Sequence, residues 1–358
     1  MKICYLVENI NPNHGGGRYA SDLINEVKKS GYEVIILKEE DDSFDGIPIL
    51  KSGLGLFAAV FKARKYLKNC DIIHALDGYP YGIIAALANF GLKKRLIITI
   101  LGTHDIALLY SFPINILLKW AYKKTNSIIS ISNYTKNELL KKFTPKTEVI
   151  VINPGIDFEK FYKIPTDLDE NFILSVGALK YRKGYHISIP AFALAKKEMP
   201  DLKYKIVGSQ KDIAYFKHLK DLISGNGVVG DIEFFNRLSD EALSDLYRRA
   251  KLFILTSINE DHHFEGFGLV FLEAAAAALP VIGTFGNGIE DAVKDCYNGF
   301  LVPQNNPQKT TDAIIKILSD NDLRENLGRN SLKWVKNFSW DKIIKNYIKI
   351  YNDSIKHY

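Results

Sequence analysis

The chain of 358 residues is 47% hydrophobic and 25% charged, with a formal net charge of +6. This is a globular composition, long enough for two domains that each bury a core. No apolar run reaches the ~18 residues of a spanning helix, and the opening MKICYLV reads as a strand without a cleavage-site pattern, so the sequence reads as cytoplasmic. Its three cysteines, Cys4, Cys70 and Cys296, form no CxxC or Cys/His spacing and read as reduced structural thiols.

In chain order, KICYLV predicts a first strand, followed by a glycine-rich loop and a helix from Arg18 to Ser30. EVIIL, DIIHAL, RLIITI, SIISIS and EVIVI predict further strands, with helices over FAAVFKARKYL and Tyr81–Phe90 between them. The same grammar then repeats. Strands FILSVG, KYKIVG, IEFF, LFILTS and LPVIGT alternate with helices over GYHISIPAFALAKKEM, Ala214–Leu222, DEALSDLYRRA and Gly268–Ala277. Short β-branched runs separated by amphipathic segments indicate buried parallel strands with crossover helices. Two such units predict an α/β fold of two Rossmann-like, doubly wound domains facing a cleft. The polar segment Tyr162–Glu170 carries a proline and suits a boundary. We place the first domain at 1–165, the second at 166–336 and a terminal helix at 337–358.

Ligands of open α/β sheets bind beyond the carboxyl ends of the strands, and the unusual residues fall there. After the first strand, Gly15-Gly16-Gly17 would let backbone N–H groups approach a phosphate at the start of a helix. After RLIITI comes Thr103-His104-Asp105, with His104 expected to point into the crevice. After FILSVG, Arg182 and Lys183 precede a helix, where two cations oppose the helix dipole unless an anion sits beside them. After LFILTS, the stretch HHFEGFGLVFLEAAAAALP holds Glu265 beside glycines and Glu273 within an apolar helix, where an unpartnered carboxylate would be costly. Carboxylates so placed can accept hydrogen bonds from sugar hydroxyls.

These residues resemble the family-4 glycosyltransferases of the GT-B fold. The most specific segment is EGFGLVFLEAAAAALPVIGT, with its two glutamates eight positions apart. Around it lie HGGGRYA, THD, SNYTKNEL, INPGID, SVGALKYRKG, YKIVG, LSDEALSDLYRRAKLFILTS, YNGFLVP and the closing FSWDKIIKNYIKIYNDSI, over almost the whole chain. The resemblance implies a nucleotide-sugar donor held by the second domain, an acceptor held by the first, and a terminal helix that crosses back to the first. It also implies retention of anomeric configuration with neither metal nor cofactor. By position, Glu273 would bind the donor ribose. Glu265 would hold the donor sugar, with backbone groups of Phe267, Gly268 and Leu269. Lys183 would contact the diphosphate, the amides of Gly16 and Gly17 would close on it, and His104 would lie beside the transferred sugar. The base would meet the region after Gly208 and around Asn236–Leu238, which includes Arg237. Two positions depart from the pattern. Ala178 stands where an arginine is frequent, and Arg182 is the candidate to replace its phosphate contact. Ala278 stands where glycine is usual, which costs on the order of 1 kcal/mol if that position requires positive φ.

The mechanism so implied is departure of an anionic nucleoside diphosphate from the anomeric carbon, with Arg182, Lys183 and helix N-termini stabilising the charge. Three other functions remain open on the residues alone. One is a sugar-nucleotide epimerase or phosphorylase-like enzyme on the same fold. Another is a nicotinamide-dependent oxidoreductase, resting on Gly15-x-Gly17-x-x-Ala20 with Glu39 and Glu40 downstream. The third is a non-catalytic nucleotide-sugar binder. Charge adds one further expectation. Over Lys51–Lys146 the chain has 15 Lys/Arg against 4 Asp/Glu, interleaved with Phe57, Phe61, Tyr66, Phe112 and Trp120. That pattern suits docking on an anionic membrane, with a lipid-linked or glycan acceptor rather than nucleic acid.

Overall fold

The computed structural model describes residues 1–12, 15–162 and 170–356. It forms two compact units, Met1–Gly155 with Trp340–Tyr358, and Ile156–Ser339. The chain thus leaves the first unit after Gly155 and rejoins it at Trp340. The expected boundary at 165/166 lies outside the described residues.

The first unit is built on strands β1 (Lys2–Val7), β2 (Glu33–Lys38), β3 (Ile47–Pro48), β4 (Ile72–Leu76), β5 (Arg95–Ile100), β6 (Ser127–Ser130) and β7 (Val149–Val151). They make one sheet in the order β3-β2-β1-β4-β5-β6-β7, and every pairing is parallel. The second unit holds β8 (Phe172–Val176), β9 (Lys203–Val207), β10 (Ile232–Phe235), β11 (Leu252–Ile254), β12 (Val281–Thr284) and β13 (Gly299–Val302), in the order β10-β9-β8-β11-β12-β13. This sheet too is parallel throughout. The central strands β4, β8 and β11 are buried at every residue, because helices cover both faces of a doubly wound sheet; that is why these strands read as unbroken apolar runs. In each sheet the order reverses at one place, between β1 and β4 and between β8 and β11.

Several local readings change. The first helix is Gly15–Lys29, so the three glycines form its first turn rather than a loop ahead of Arg18. Helices Thr103–Ala107, Ile114–Lys124 and Asn133–Lys142 occupy a stretch where periodicity showed only the strand SIISIS. Beyond β12, a further strand and the helices Pro307–Leu318 and Asn321–Val335 complete the second unit. Among the described residues no helix is long and apolar enough to cross a membrane.

The terminal helix Trp340–Lys356 is sewn into the first unit by a buried polar network. Tyr347 and Tyr19 share a hydroxyl hydrogen bond of 2.6 Å, and Tyr351 and Tyr5 one of 2.7 Å. The Tyr351 hydroxyl is also 2.8 Å from Nδ1 of His74, whose Nε2 is 2.8 Å from Oγ1 of Thr99. Burial pushes His74 down to about 3, so its ring stays neutral. Gly155 packs beneath the indole of Trp340, where a Cβ would come within 2.4 Å of the ring. Cys4 and Cys70, remote in sequence, are buried hydrogen-bonded neighbours.

Candidate active site

In the second unit, the reversal of strand order opens a crevice at the carboxyl ends of β8 and β11. The chain leaving β8 makes a tight turn, Tyr181–Lys183, then enters the helix Tyr185–Glu198 through Gly184 at φ +71°. A Cβ on Gly184 would lie 1.8 Å from the carbonyl oxygen of Thr256, so only glycine lets this turn meet the segment after β11. Two bonds lock the approach: Thr256 Oγ1 donates to the Gly184 carbonyl at 2.7 Å, and the Ile258 amide donates to the Arg182 carbonyl at 2.8 Å.

That seam brings Arg182 and Lys183 onto Glu265. Lys183 Nζ lies 2.5 Å from Glu265 Oε2, Arg182 Nη1 3.2 Å and Ser257 Oγ 3.3 Å. The anion that the two cations required is therefore in the chain itself. Burial pushes the Glu265 carboxyl up, but Lys183 and Arg182 outweigh it and hold the group at about 2. Burial draws Lys183 down, with Glu265 opposing. The two shifts favour opposite charge states of the pair. We take both groups as ionised, because one oxygen of Glu265 meets two cations and a hydroxyl at hydrogen-bonding distance.

The segment after Glu265 is fixed by backbone contacts. The Gly288 amide donates to the Glu265 carbonyl at 2.8 Å, and Phe267 is buried with its ring centroid 6.0 Å from that of Phe338. Gly268, at φ +86°, caps the helix Leu269–Ala276, whose first turn begins at Leu269. Glu273 is buried in the second turn and accepts a hydrogen bond of 2.8 Å from the Tyr247 hydroxyl. That partner comes from the helix Asp240–Arg249 and answers how a carboxylate survives among alanines. The helix ends with the Leu279 amide on the Ala274 carbonyl at 3.0 Å and Ala278 at φ +61°, so alanine does occupy a left-handed position that favours glycine. Gly208 is required by packing: a Cβ would lie 1.8 Å from the Gly177 carbonyl oxygen, and its amide donates to the Phe235 carbonyl at 2.8 Å. Arg237 is exposed beyond β10.

In the first unit, the corresponding reversal lies at the ends of β1 and β4. Among the described residues, no atom outside the neighbouring chain lies within 4 Å of a Cβ built on Gly15 or Gly16, whereas one on Gly17 would meet Asn9 Oδ1 at 2.1 Å and the Asn11 carbonyl at 2.4 Å. The two glycines thought to act together separate: Gly16 is open, and Gly17 is small because the segment after β1 folds over it. Asp77 follows β4 directly at φ 124° and ψ 144°. The Asp105 carboxylate accepts from the amides of Gly78 at 2.5 Å and Leu101 at 2.7 Å and from the Tyr122 hydroxyl at 3.3 Å. His104, expected on a loop, lies in the short helix Thr103–Ala107. Its side chain is 60% exposed, with Nδ1 3.3 Å from Asp77 Oδ2.

Comparison with known proteins decides what these two halves belong to. The model described as Glycosyl transferases group 1 matches residues 157–334, and that described as Glycosyltransferase Family 4 matches residues 13–160. The chain is a family-4 glycosyltransferase. It is 28% identical over 346 residues to an uncharacterized glycosyltransferase of Methanocaldococcus jannaschii, covering 94% of this chain and 93% of that one. It is 26% identical to the N-acetyl-alpha-D-glucosaminyl L-malate synthase of Bacillus anthracis, covering 81% of this chain and 76% of the other. The crystal structure of Anabaena HepE in complex with UDP-glucose matches with a TM-score of 0.85 at 19% identity, covering 99% of this chain and 100% of that one, a likeness of fold. The fold of this glycosyltransferase is GT-B, with two parallel-sheet α/β domains.

Within the glycosyltransferase, sequence reading singled out Lys183, Arg182 and Glu265 separately, and the fold brings them together. It missed Ser257 and Tyr247, which partner the two glutamates, and Asp77, which partners His104. Asp77 carried a readable signal, a polar residue at the end of a central strand just before Gly78. Tyr247 carried none beyond its place in a helical pattern.

Proposed function

We propose that the chain moves a hexosyl group from a nucleotide-diphospho-sugar to an acceptor hydroxyl with retention of configuration. The single observation that carries this reading is the convergence of Lys183, Arg182 and Glu265 at the carboxyl ends of β8 and β11. Two cations held by a carboxylate, rather than by mobile solvent ions, are preorganised to receive a diphosphate as its charge develops, which makes a bound metal unnecessary to the step. Among the described residues, Lys183, Arg182 and Ser257 all bond the Oε2 of Glu265, so Oε1 can accept from a hydroxyl of the donor sugar. Glu273, steadied by Tyr247, takes the ribose hydroxyls, and the first-turn amides at Leu269 complete the diphosphate site. The glycosidic bond to the diphosphate breaks, the acceptor oxygen bonds to the same face of the anomeric carbon, and its proton passes to the departing phosphate oxygen. No redox cofactor enters such an exchange. The UDP-glucose bound by HepE supports a nucleotide sugar as the donor.

The acceptor side belongs to the first unit, with His104 beside the transferred sugar. A lipid-linked acceptor at the cytoplasmic face of an anionic membrane is favoured by one specific feature. Leu54, Phe57 and Phe61, Phe90, and Phe112, Ile116 and Leu117 are all exposed, on helices packed in succession or, for Phe90 and Phe112, in the turns beside them, among exposed Lys51, Lys62, Lys65, Lys123 and Lys124. Apolar side chains ringed by lysines suit insertion among acidic headgroups.

The test begins with a thermal-shift screen of UDP-, GDP- and ADP-sugars, followed by product analysis with radiolabelled donor and glycan or lipid acceptors. Glu273→Ala is expected to weaken donor binding, and Glu265→Ala mainly to lower turnover. Equal binding of donor nucleotide by wild type and Glu273→Ala would remove the ribose assignment. Flotation with no preference for anionic liposomes at low salt would remove the membrane.

A further inference from the structure

The proposed reaction leaves one arrangement unused, the pair of carboxyls at the end of β4. Asp77 is held at φ 124° and ψ 144°, a region that only glycine occupies without strain. A side chain kept there at such cost has a use. Its Oδ2 faces His104 Nδ1 at 3.3 Å. Its Oδ1 is buried with no hydrogen-bond partner among the described residues, and the side chain of Asp105 adjoins Asp77. Asp105 is itself fully buried and anchored to two backbone amides and Tyr122. Two adjoining carboxyls cannot both be ionised away from water, and a proton between them satisfies the otherwise unmatched oxygen.

We propose that Asp77 is a positioning residue: it shares one proton with Asp105 and uses its outer oxygen to hold the Nδ1–H of His104, so that Nε2 is the free nitrogen of the ring. This rests on the reading of His104 as the residue beside the transferred sugar. The groups facing the pair are Glu8 at the end of β1, Tyr81 with Glu39 behind it, Tyr122 from the helix Ile114–Lys124, and His104 itself. Burial, with a smaller push from Glu8, raises Asp77 to about 6 against the lowering influence of the Asp105 side chain and nearby backbone amides, while burial and then repulsion from Asp77 raise Asp105. The hold on His104 is therefore strongest above that pH and loosens below it.

The experiment is nitrogen-15 NMR of the imidazole of His104 in the nucleotide-free protein, on wild type, Asp77→Asn and Asp77→Gly. Glycine suits the backbone at this position, so the last variant keeps the fold while removing the carboxylate. The Nδ1–H tautomer is expected in wild type at pH 8, with a shift towards Nε2–H in both variants. The same tautomer in all three would overturn the proposal. In parallel, Asp77→Asn is expected to lower kcat about tenfold, leave donor Kd within twofold, and lose the acid limb of the pH profile near 6. An unaltered limb would also overturn it. If His104→Ala turns over like wild type, the role of His104 in transfer falls, while the tautomer measurement still decides whether Asp77 positions it.

Discussion

Both units reverse strand order at one point and both place ionisable groups there, yet the chemistry is opposite. The second unit sets two cations against one carboxylate, so every charge has a partner and Glu265 is held at about 2. The first sets carboxyl beside carboxyl, and burial pushes Asp77 up to about 6. The same scaffold thus serves a site of fixed charge in one half and a site that stores a proton in the other. The fixed charges add stability at neutral pH. The paired carboxyls subtract from it, as expected of groups retained for what they do rather than for what they hold together.

The comparison breaks most directly at Lys183. Lys183→Ala is expected to lower turnover about 100- to 1,000-fold, the range for removing a group that stabilises developing charge. Leaving Glu265 buried with Arg182 alone should also lower unfolding free energy by about 3 kcal/mol, measured in urea. Turnover near wild type would make the cluster structural only.

The first unit should respond in the opposite sense. Asp77→Asn is expected to raise stability at pH 7.5 by on the order of 2 kcal/mol, since the carboxyl's folded value lies above its ordinary one. The sign follows from that rise. The folded protein holds the proton up to about 6 whereas the unfolded chain releases it near 3.8, so the gain should shrink as pH falls from 6 towards 4. Calorimetry at a series of pH values checks both points, and a loss of stability at pH 7.5 would contradict the pairing.

His74 sharpens the contrast in acid. It is neutral in the fold, with a value near 3 against an ordinary 6.5, so its contribution is present above 6.5 and is lost as pH falls towards 3. The limit of that loss is about 1.4 kcal/mol per pH unit. Glu265, held down from 4.5 to about 2, keeps its contribution until pH drops below 4.5. His74→Gln should therefore flatten the stability curve between pH 6 and 4, and an unchanged slope would place the acid-sensitive group elsewhere. The smallest effect belongs to the second unit. Ala278→Gly, at φ +61°, should gain at most about 1 kcal/mol, since relief of strain is partly offset by a freer unfolded chain. A clear loss of melting temperature would show that the alanine methyl packs better than its backbone suggests.

How legible each half was follows from the same physics. Buried parallel strands announce themselves as β-branched runs, and Lys183, Arg182 and Glu265 stood out because charged residues next to glycines at strand ends are rarely decorative. Periodicity carries no information about which loop meets which. The seam through Gly184 and Thr256, which puts Lys183 on a glutamate 82 positions away, follows from strand order alone. Gly17 has two readings for a related reason: glycine is demanded equally by a phosphate and by a crowding backbone, and here Asn9 and Asn11 lie where a side chain would be. Helices between β5 and β7 went unseen because Thr103–Ala107 is too short for a period to show and the other two have their apolar positions interrupted by lysines and asparagines.

The tyrosine pairs that tie Trp340–Lys356 to β1 and the first helix bear on how the molecule is made. A ribosome delivers Met1–Gly155 first, yet the partners of Tyr5 and Tyr19 emerge only after all of Ile156–Ser339 has been synthesised. The segment in the middle is contiguous and has every strand of its sheet in hand before the earlier one can close its polar core. Biogenesis should therefore finish with the half that began it, and a nascent chain stalled near Ser339 should present a protease-resistant second unit beside a first that is still open to attack.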